Sequence, residues 1–155
     1  KGIDKGMEAV EKYLKSSEHL KKKAHAWIRY KARGGKKPQA TWNKMYDRIT
    51  RNRMKGDLAE NQFTKVMGGH KPKQPITVKV NGKNVVRKLD NVLGNVAREV
   101  KSGPLKLTDF VKQQILKDVQ LIKVKGMKVE WHLLAGGDSK AIAVLKKAGI
   151  HVVLY

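Results

Sequence analysis

With 155 residues, the chain is long enough for one domain with a hydrophobic core. Its 35 lysines and arginines against 13 aspartates and glutamates give it a formal net charge of +22. This charge favours a polyanionic partner, with nucleic acid the first candidate and an anionic membrane surface the second, although no basic segment is paired with a long apolar face. The absence of cysteine excludes disulfides and thiolate metal sites, and the absence of any run of about 18 apolar residues excludes a membrane-spanning helix.

The first third of the chain is predicted to be helical and basic. Residues 1–33 show apolar residues at helical spacing, which Gly34 and Gly35 interrupt. A second helix is predicted from Pro38 to about Arg53, and its spacing indicates a core-packing face formed by Trp42, Met45, Tyr46 and Ile49. Basic side chains on these helices either form a solvated face or contact phosphates; the candidates for phosphate binding are Lys21, Lys22, Lys23, Arg48, Arg51 and Arg53.

A third helix is predicted to begin at Gly56-Asp57, with Asp57 as its N-cap, and to end at Gly68-Gly69. Glu60 then falls in the first helical turn, where the helix dipole favours a surface glutamate. Beyond the helix, Ile76, Val78 and Val80 alternate as in a strand, and Asn81-Gly82 is a strong hairpin signal.

The central part of the chain is predicted to contain two further strands. The hairpin returns from about Val85 to Asp90, residues 91–95 form a turn around Gly94, and the next strand is Val96–Lys101. Residues two apart in a strand share a face, so Glu99 and Lys101 point the same way, and a strand ending at Asp90 would bring its carboxylate beside Glu99. Two carboxylates with an adjacent ammonium can hold a divalent metal through oxygen ligands.

The last third alternates between helix and strand. A helix is predicted from Thr108-Asp109 to Gly126, and Met127–Leu134 then alternate as in a strand. A shorter helix closed by Gly149 leads to an apolar strand at residues 150–155. Alternation at this length implies parallel strands covered by helices.

The sequence Asp90…Glu99-Val100-Lys101 resembles the D…ExK signature of the PD-(D/E)xK, or restriction-endonuclease-like, nuclease superfamily. The order of predicted elements over residues 55–155 adds to the resemblance, whereas Leu89 stands where the nominal motif has proline. The segment is most similar to nuclease domains at the C-termini of bacterial polymorphic toxins and contact-dependent growth-inhibition toxins.

The resemblance implies an α/β fold with a mixed central sheet flanked by helices, in which a basic helical segment of residues 1–54 packs on a nuclease core of residues 55–155. It implies metal-dependent hydrolysis of phosphodiester bonds in DNA or tRNA. Asp90 and Glu99 would ligate Mg²⁺ or Mn²⁺, with Zn²⁺ a further candidate. Glu60, with Asp57 as a competitor, would complete the metal site, and Lys101 would activate the attacking water. Some of these toxin nucleases also place a glutamine or basic residue of the following helix over the site, and the resemblance implies that Gln113 or Gln114 takes this place.

The same resemblance predicts a biological setting. A chain that starts at Lys1 without methionine is expected to be part of a longer protein, delivered by secretion or from the cell surface to act in the cytoplasm of a target cell. A toxin of this charge is expected to be neutralised by an acidic immunity protein, because opposite potentials favour rapid association.

Two other functions are compatible with the composition. The first is a non-catalytic nucleic-acid-binding module in which Asp90, Glu99 and Lys101 form surface ion pairs. The second is a metal-independent RNase built around a residue such as His132, although a single histidine on a strand is more often structural. Carboxylates more than about 7 Å apart could not share one ion, so the separation of Asp90 and Glu99 discriminates between these functions.

Overall fold

A computed structural model describes residues 2–155, with side chains from Lys5 onward. In this range the chain forms five helices and six strands, and it divides into two compact units, residues 1–59 and 60–155. The predicted α/β class is confirmed: a mixed four-stranded sheet is flanked by helices, and the N-terminal portion is helical. None of the helices in the described part of the chain is long and apolar enough to span a membrane.

The first unit contains α1 (Gly2–Leu14), α2 (Ser17–Ala32) and the first part of α3 (Gln39–Met67). The region 1–33 therefore forms two helices, because Ser16 caps α2 by accepting a hydrogen bond from the amide of His19 at 3.2 Å. Trp42 is buried as predicted, whereas Ile49 is 56% exposed, contrary to the predicted core-packing face.

Helix α3 runs without a break for 29 residues, so the predicted helix start at Gly56-Asp57 is wrong. A glycine inside a helix costs only about 1 kcal/mol relative to alanine, which the helical residues on both sides of Gly56 can offset. Asp57 is consequently not an N-cap, and Glu60 lies well inside the helix. The predicted end is confirmed, since Gly68 and Gly69 follow Met67 with φ values of +76° and +82°.

The second unit begins with a hairpin of β1 (Ile76–Val80) and β2 (Lys83–Arg87). Asn81 and Gly82 both have positive φ, as the turn signal predicts. The returning strand ends at Arg87 and not at Asp90. Residues 91–93, which were predicted to be in a turn, form β3 (Asn91–Leu93), which pairs with the strand after Gly94.

The main sheet has the order β3-β4-β5-β6, formed by β3 with β4 (Val96–Lys101), β5 (Lys128–Leu133) and β6 (His151–Leu154). The β3–β4 pair is antiparallel and the other two pairs are parallel, with α4 (Asp109–Lys123) and α5 (Ser139–Lys147) as crossovers. The strand Val96–Lys101 has the predicted bounds, and its two neighbours hold it in the interior of the sheet.

The core of this unit lies on the sheet face that carries Trp131 and Leu133, both fully buried. The parallel register places Glu99 beside Trp131 and Lys101 beside Leu133, so these two charged residues rise from the apolar face of the sheet. Such a position is unfavourable for charged groups unless they are paired. The residues around them are therefore the ones that determine what the site can do.

Candidate active site

Asp90 and Glu99 lie side by side at the open end of the β3–β4 hairpin, away from the turn that joins the two strands. Asn91 pairs with Arg98 in the antiparallel register, and one step beyond this pair Asp90 stands opposite Glu99. The Oδ2 atom of Asp90 accepts a hydrogen bond from the amide of Val100 at 2.9 Å, which fixes the carboxylate against the motif strand. Strand pairing thus brings the two acids together, although they stand at opposite ends of a ten-residue segment of the sequence.

The proximity of the two carboxylates disfavours full ionisation of the pair. Burial, followed by the charge of Glu99, raises the pKa of Asp90 to about 8, and Glu60 adds to the shift while the Val100 amide opposes it. A carboxyl group of this kind holds a proton at neutral pH unless another cation takes its place. Asp90 and Glu99 therefore form a pair whose charge a divalent cation would compensate.

Glu99 is only 5% exposed and is held by three donors. Its Oε1 accepts from Arg87 Nη2 at 3.0 Å, and its Oε2 lies 3.0 Å from Lys101 Nζ and 3.2 Å from Gln114 Nε2. Burial opposes ionisation of Glu99, but the charges of Arg87 and Lys101 outweigh it and lower the pKa. A carboxylate has about four lone-pair positions, so three protein donors leave room for one further bond, such as one to a cation.

Arg87 is a buried residue of the site that the sequence analysis missed. Its Nε and Nη2 donate to the two oxygens of Asp118 at 2.7 and 3.1 Å, while Nη2 also reaches Glu99. Trp131 Nε1 completes the shell of Asp118 with a hydrogen bond of 2.8 Å to Oδ2. A sequence pattern in α4 points to this cluster of buried polar residues. Helical spacing of i, i+4, i+7 places Gln114, Asp118 and Leu121 on one face of the helix, and all three are buried.

Lys101 lies beside Glu99 with its ammonium group restrained on several sides. Its Nζ donates to Gln114 Oε1 at 2.7 Å and lies 5.2 Å from the ring centroid of Trp131 and 5.8 Å from that of Phe110. Its side chain is 19% exposed, so the charge remains accessible to a ligand. Of the two glutamines singled out in the sequence, the buried Gln114 contacts Glu99 and Lys101, whereas Gln113 is exposed.

Glu60 stands close enough to act on Asp90 but is less buried than Glu99. Its charge contributes to the raised pKa of Asp90, and its Oε1 accepts from Lys71 Nζ at 3.1 Å. Within the described range, no group of three or more histidine, cysteine, aspartate or glutamate residues is gathered closely enough to hold a metal ion. The competing residue Asp57 is exposed and belongs to the first unit.

Comparison with known proteins gives no family. No family model, curated protein or solved structure matches the chain. The function is therefore inferred from the residues of the site.

His132 lies away from the carboxylate pair. Its register partner in β4 is Val100, so it points to the sheet face opposite to Glu99. Its ring nitrogens contact Tyr155 Oη at 2.8 Å and Glu130 Oε1 at 2.9 Å, and its ring meets Phe63 edge-on at 4.7 Å. Both nitrogens are engaged within the fold, which suits a structural role.

The six basic residues predicted to contact phosphates all lie in the first unit, and they fall into two groups. Three form ion pairs there, Lys22 with Glu18 at 3.5 Å, Lys23 with Asp47 at 3.1 Å and Arg51 with Glu11 at 2.7 Å. The other three are exposed and have no ion-pair partner among the residues that the structure describes; they are Lys21, Arg48 and Arg53. The second group is therefore better suited to bind a polyanion.

Proposed function

We propose that this protein is a metal-dependent nuclease that hydrolyses phosphodiester bonds of DNA or tRNA. The observation that carries the proposal is the placement of Asp90, Glu99 and Lys101 together at the open end of the β3–β4 hairpin, in a chain with a net charge of +22. Carboxylates that hold a cation, together with an accessible ammonium group, form a site that can stabilise charge developing on a phosphate.

The distribution of acidic residues also supports a functional site over chance surface ion pairs. The second unit contains only seven acidic residues, and the charges of two of them, Glu99 and Glu60, raise the pKa of a third, Asp90. The seven are Glu60, Asp90, Glu99, Asp109, Asp118, Glu130 and Asp138. Surface ion pairs contribute little and are normally solvated. Glu99 is buried and Asp90 is largely shielded, which costs free energy that a mere surface contact would not require.

The oxygen donors of the pair fit a hard divalent cation such as Mg²⁺ or Mn²⁺, with Zn²⁺ a further candidate. Asp90 and Glu99 would hold the ion, with Glu60 as the additional acid nearest to them. When bound, such an ion neutralises charge on the phosphate and lowers the pKa of a coordinated water. Arg87 fixes the orientation of Glu99 through one of its oxygens.

In this proposal, Lys101 acts on the phosphate. Its ammonium group is anchored by Glu99 and Gln114, which consume two of its three protons and leave the third for a phosphate oxygen or the attacking water. Because the side chain is held on the sheet and between two rings, little reorganisation is needed when charge develops. This is the condition under which a single electrostatic group has its greatest effect on rate.

The test is cleavage of plasmid DNA and total tRNA with and without EDTA. Asp90→Asn, Glu99→Gln and Lys101→Met should each reduce cleavage on the order of 10²–10³-fold, and EDTA should abolish it. Gln114→Leu, which loses contacts to both charged residues, should reduce it about 10–100-fold. Asp109→Asn is the matched control, an exposed acid of the same unit. Cleavage near the wild-type rate by the Glu99→Gln/Lys101→Met double variant would refute the proposal.

Binding without cleavage under all metal conditions would instead indicate a non-catalytic nucleic-acid-binding module.

Delivery as a toxin and neutralisation by an acidic immunity protein remain predictions from the resemblance. Expression inside a bacterial cell tests them. Growth arrest that depends on Asp90 and is relieved by a small acidic partner supports the prediction, and harmless accumulation of the active domain contradicts it.

A further inference from the structure

A cavity of about 240 Å³ lies next to the proposed active site, between the end of β2 and the first half of α4. Two of its lining residues, Arg87 and Gln114, are also hydrogen-bonding partners of Glu99. The cavity therefore shares a wall with the site. Its volume is below the range of about 300–1,000 Å³ typical of sites that enclose a whole small ligand, so it suits one part of a larger substrate.

Phe110 provides an exposed aromatic surface at this cavity. The chain has two phenylalanines, and while Phe63 is 6% exposed, Phe110 is 69% exposed. The Phe110 ring centroid lies 5.8 Å from Lys101 Nζ, so the ring adjoins the proposed catalytic ammonium group. A large exposed ring beside a charged site is the feature that proteins use to stack an unpaired base.

The charged residues around Phe110 fit a phosphodiester backbone. The cavity is lined by Arg87, Lys88 and Lys117 but by no acidic residue. Arg87 is occupied by Asp118 and Glu99, whereas Lys88 and Lys117 form no ion pair with any other residue that the structure describes. The amide of Gln113, also in the lining, can donate to and accept from the edge of a base.

We infer that this cavity is a subsite for one unpaired nucleotide of the substrate, an inference that rests on the proposed nuclease function. The base stacks on Phe110, Lys88 and Lys117 contact the flanking phosphates, and Gln113 contacts the base edge. A base within a duplex has both faces covered by its neighbours, so this arrangement favours substrates with an unpaired nucleotide next to the scissile bond.

The test measures binding separately from cleavage. Oligonucleotides of about 12 nucleotides, within the site sizes of single-strand-binding proteins, are offered as single-stranded RNA, single-stranded DNA and the corresponding duplexes, in EDTA. Phe110→Ala should weaken binding of a single strand about 5- to 100-fold, because stacking on an aromatic residue has that magnitude, and Phe110→Trp should preserve it. Leu116→Ala is the matched control, since Leu116 is an exposed apolar residue of the same helix.

The charged part of the subsite is tested with Lys117→Gln, and the matched control is Lys112→Gln, an exposed lysine of α4 outside the cavity lining. Of these two variants, only Lys117→Gln should reduce the salt dependence of binding. Comparison of single-stranded RNA with single-stranded DNA identifies which of the two nucleic acids supplies the nucleotide.

Unchanged binding of both single strands by Phe110→Ala would overturn the inference, as would equal losses for single strands and duplexes. These outcomes are distinct from failure of the proposed function, which is absence of metal-dependent cleavage by the wild-type protein. If wild-type cleavage is present and Phe110→Ala cleaves single strands and duplexes at wild-type rates, the nuclease stands and the subsite does not.

Discussion

Replacing Arg87 by methionine tests how the carboxylates of the site are supported. Arg87 is 4% exposed and donates four hydrogen bonds, two to Asp118, one to Glu99 and one to the carbonyl of Lys88. Asp118 is fully buried, so neither carboxylate can recover solvation when the guanidinium is removed. Arg87→Met therefore leaves two buried negative charges without their shared counter-ion.

The expected loss is large because one partner of a buried charge pair is removed while the others stay. Such substitutions cost about 3–5 kcal/mol, against a total stability of about 5–15 kcal/mol for a domain. For a unit the size of residues 60–155, this corresponds to a decrease in Tm of roughly 12–40 °C. Arg87→Lys should be intermediate, since an ammonium group keeps the charge but cannot bind Asp118 in bidentate fashion and reach Glu99 as well.

The assay is urea-induced unfolding, with hydrogen exchange of the β4 and β5 amides to report on the second unit. Lys101→Met is the matched control, because it removes the other cation from Glu99 but leaves the Arg87 guanidinium in place, and it should therefore cost less stability than Arg87→Met. Asp118→Asn combined with Arg87→Met should recover part of the stability by removing one of the orphaned charges. An Arg87→Met loss no greater than that of Lys101→Met would refute this account of the site.

Two further predictions concern the first unit. Removing the exposed charges with Arg48→Gln and Arg53→Gln should each reduce the salt dependence of nucleic-acid binding by about one counterion, as measured by titration across salt concentrations, whereas Lys23→Gln should chiefly lower stability. Burial opposes ionisation of Asp47, but its contacts with His19 and Lys23 outweigh burial and lower its pKa. The ionised Asp47 side chain therefore stabilises the fold above about pH 4, and this stabilisation is lost as the pH falls through the pKa of Asp47 in the folded state. Asp47→Asn should flatten the acid-side loss of thermal stability below pH 4, and an unchanged profile would contradict this assignment.

Much of the architecture of the second unit follows from local signals. The positive-φ turn at Asn81-Gly82 and the alternation in Val96–Lys101 are short-range features, and the structure has the hairpin and the strand there. The strand and helix alternation after residue 108 likewise predicts the parallel pairs that the sheet contains. These elements are predictable because neighbouring residues determine them.

Tertiary contacts decided the rest. A local break signal at Gly56 was overridden, and β2 ended early, so the chain between Arg87 and Asn91 leaves the hairpin and enters the main sheet. Periodicity showed which face of α4 is apolar, but not that Gln114 and Asp118 would be buried beside Glu99 and Arg87. A buried charge is acceptable only when its partners are in place, and these partners are separated by up to 31 residues of chain. Sequence spacing therefore predicted that Asp90 and Glu99 lie close together, whereas the Arg87 guanidinium between Glu99 and Asp118 became apparent only when strands and helix were packed together.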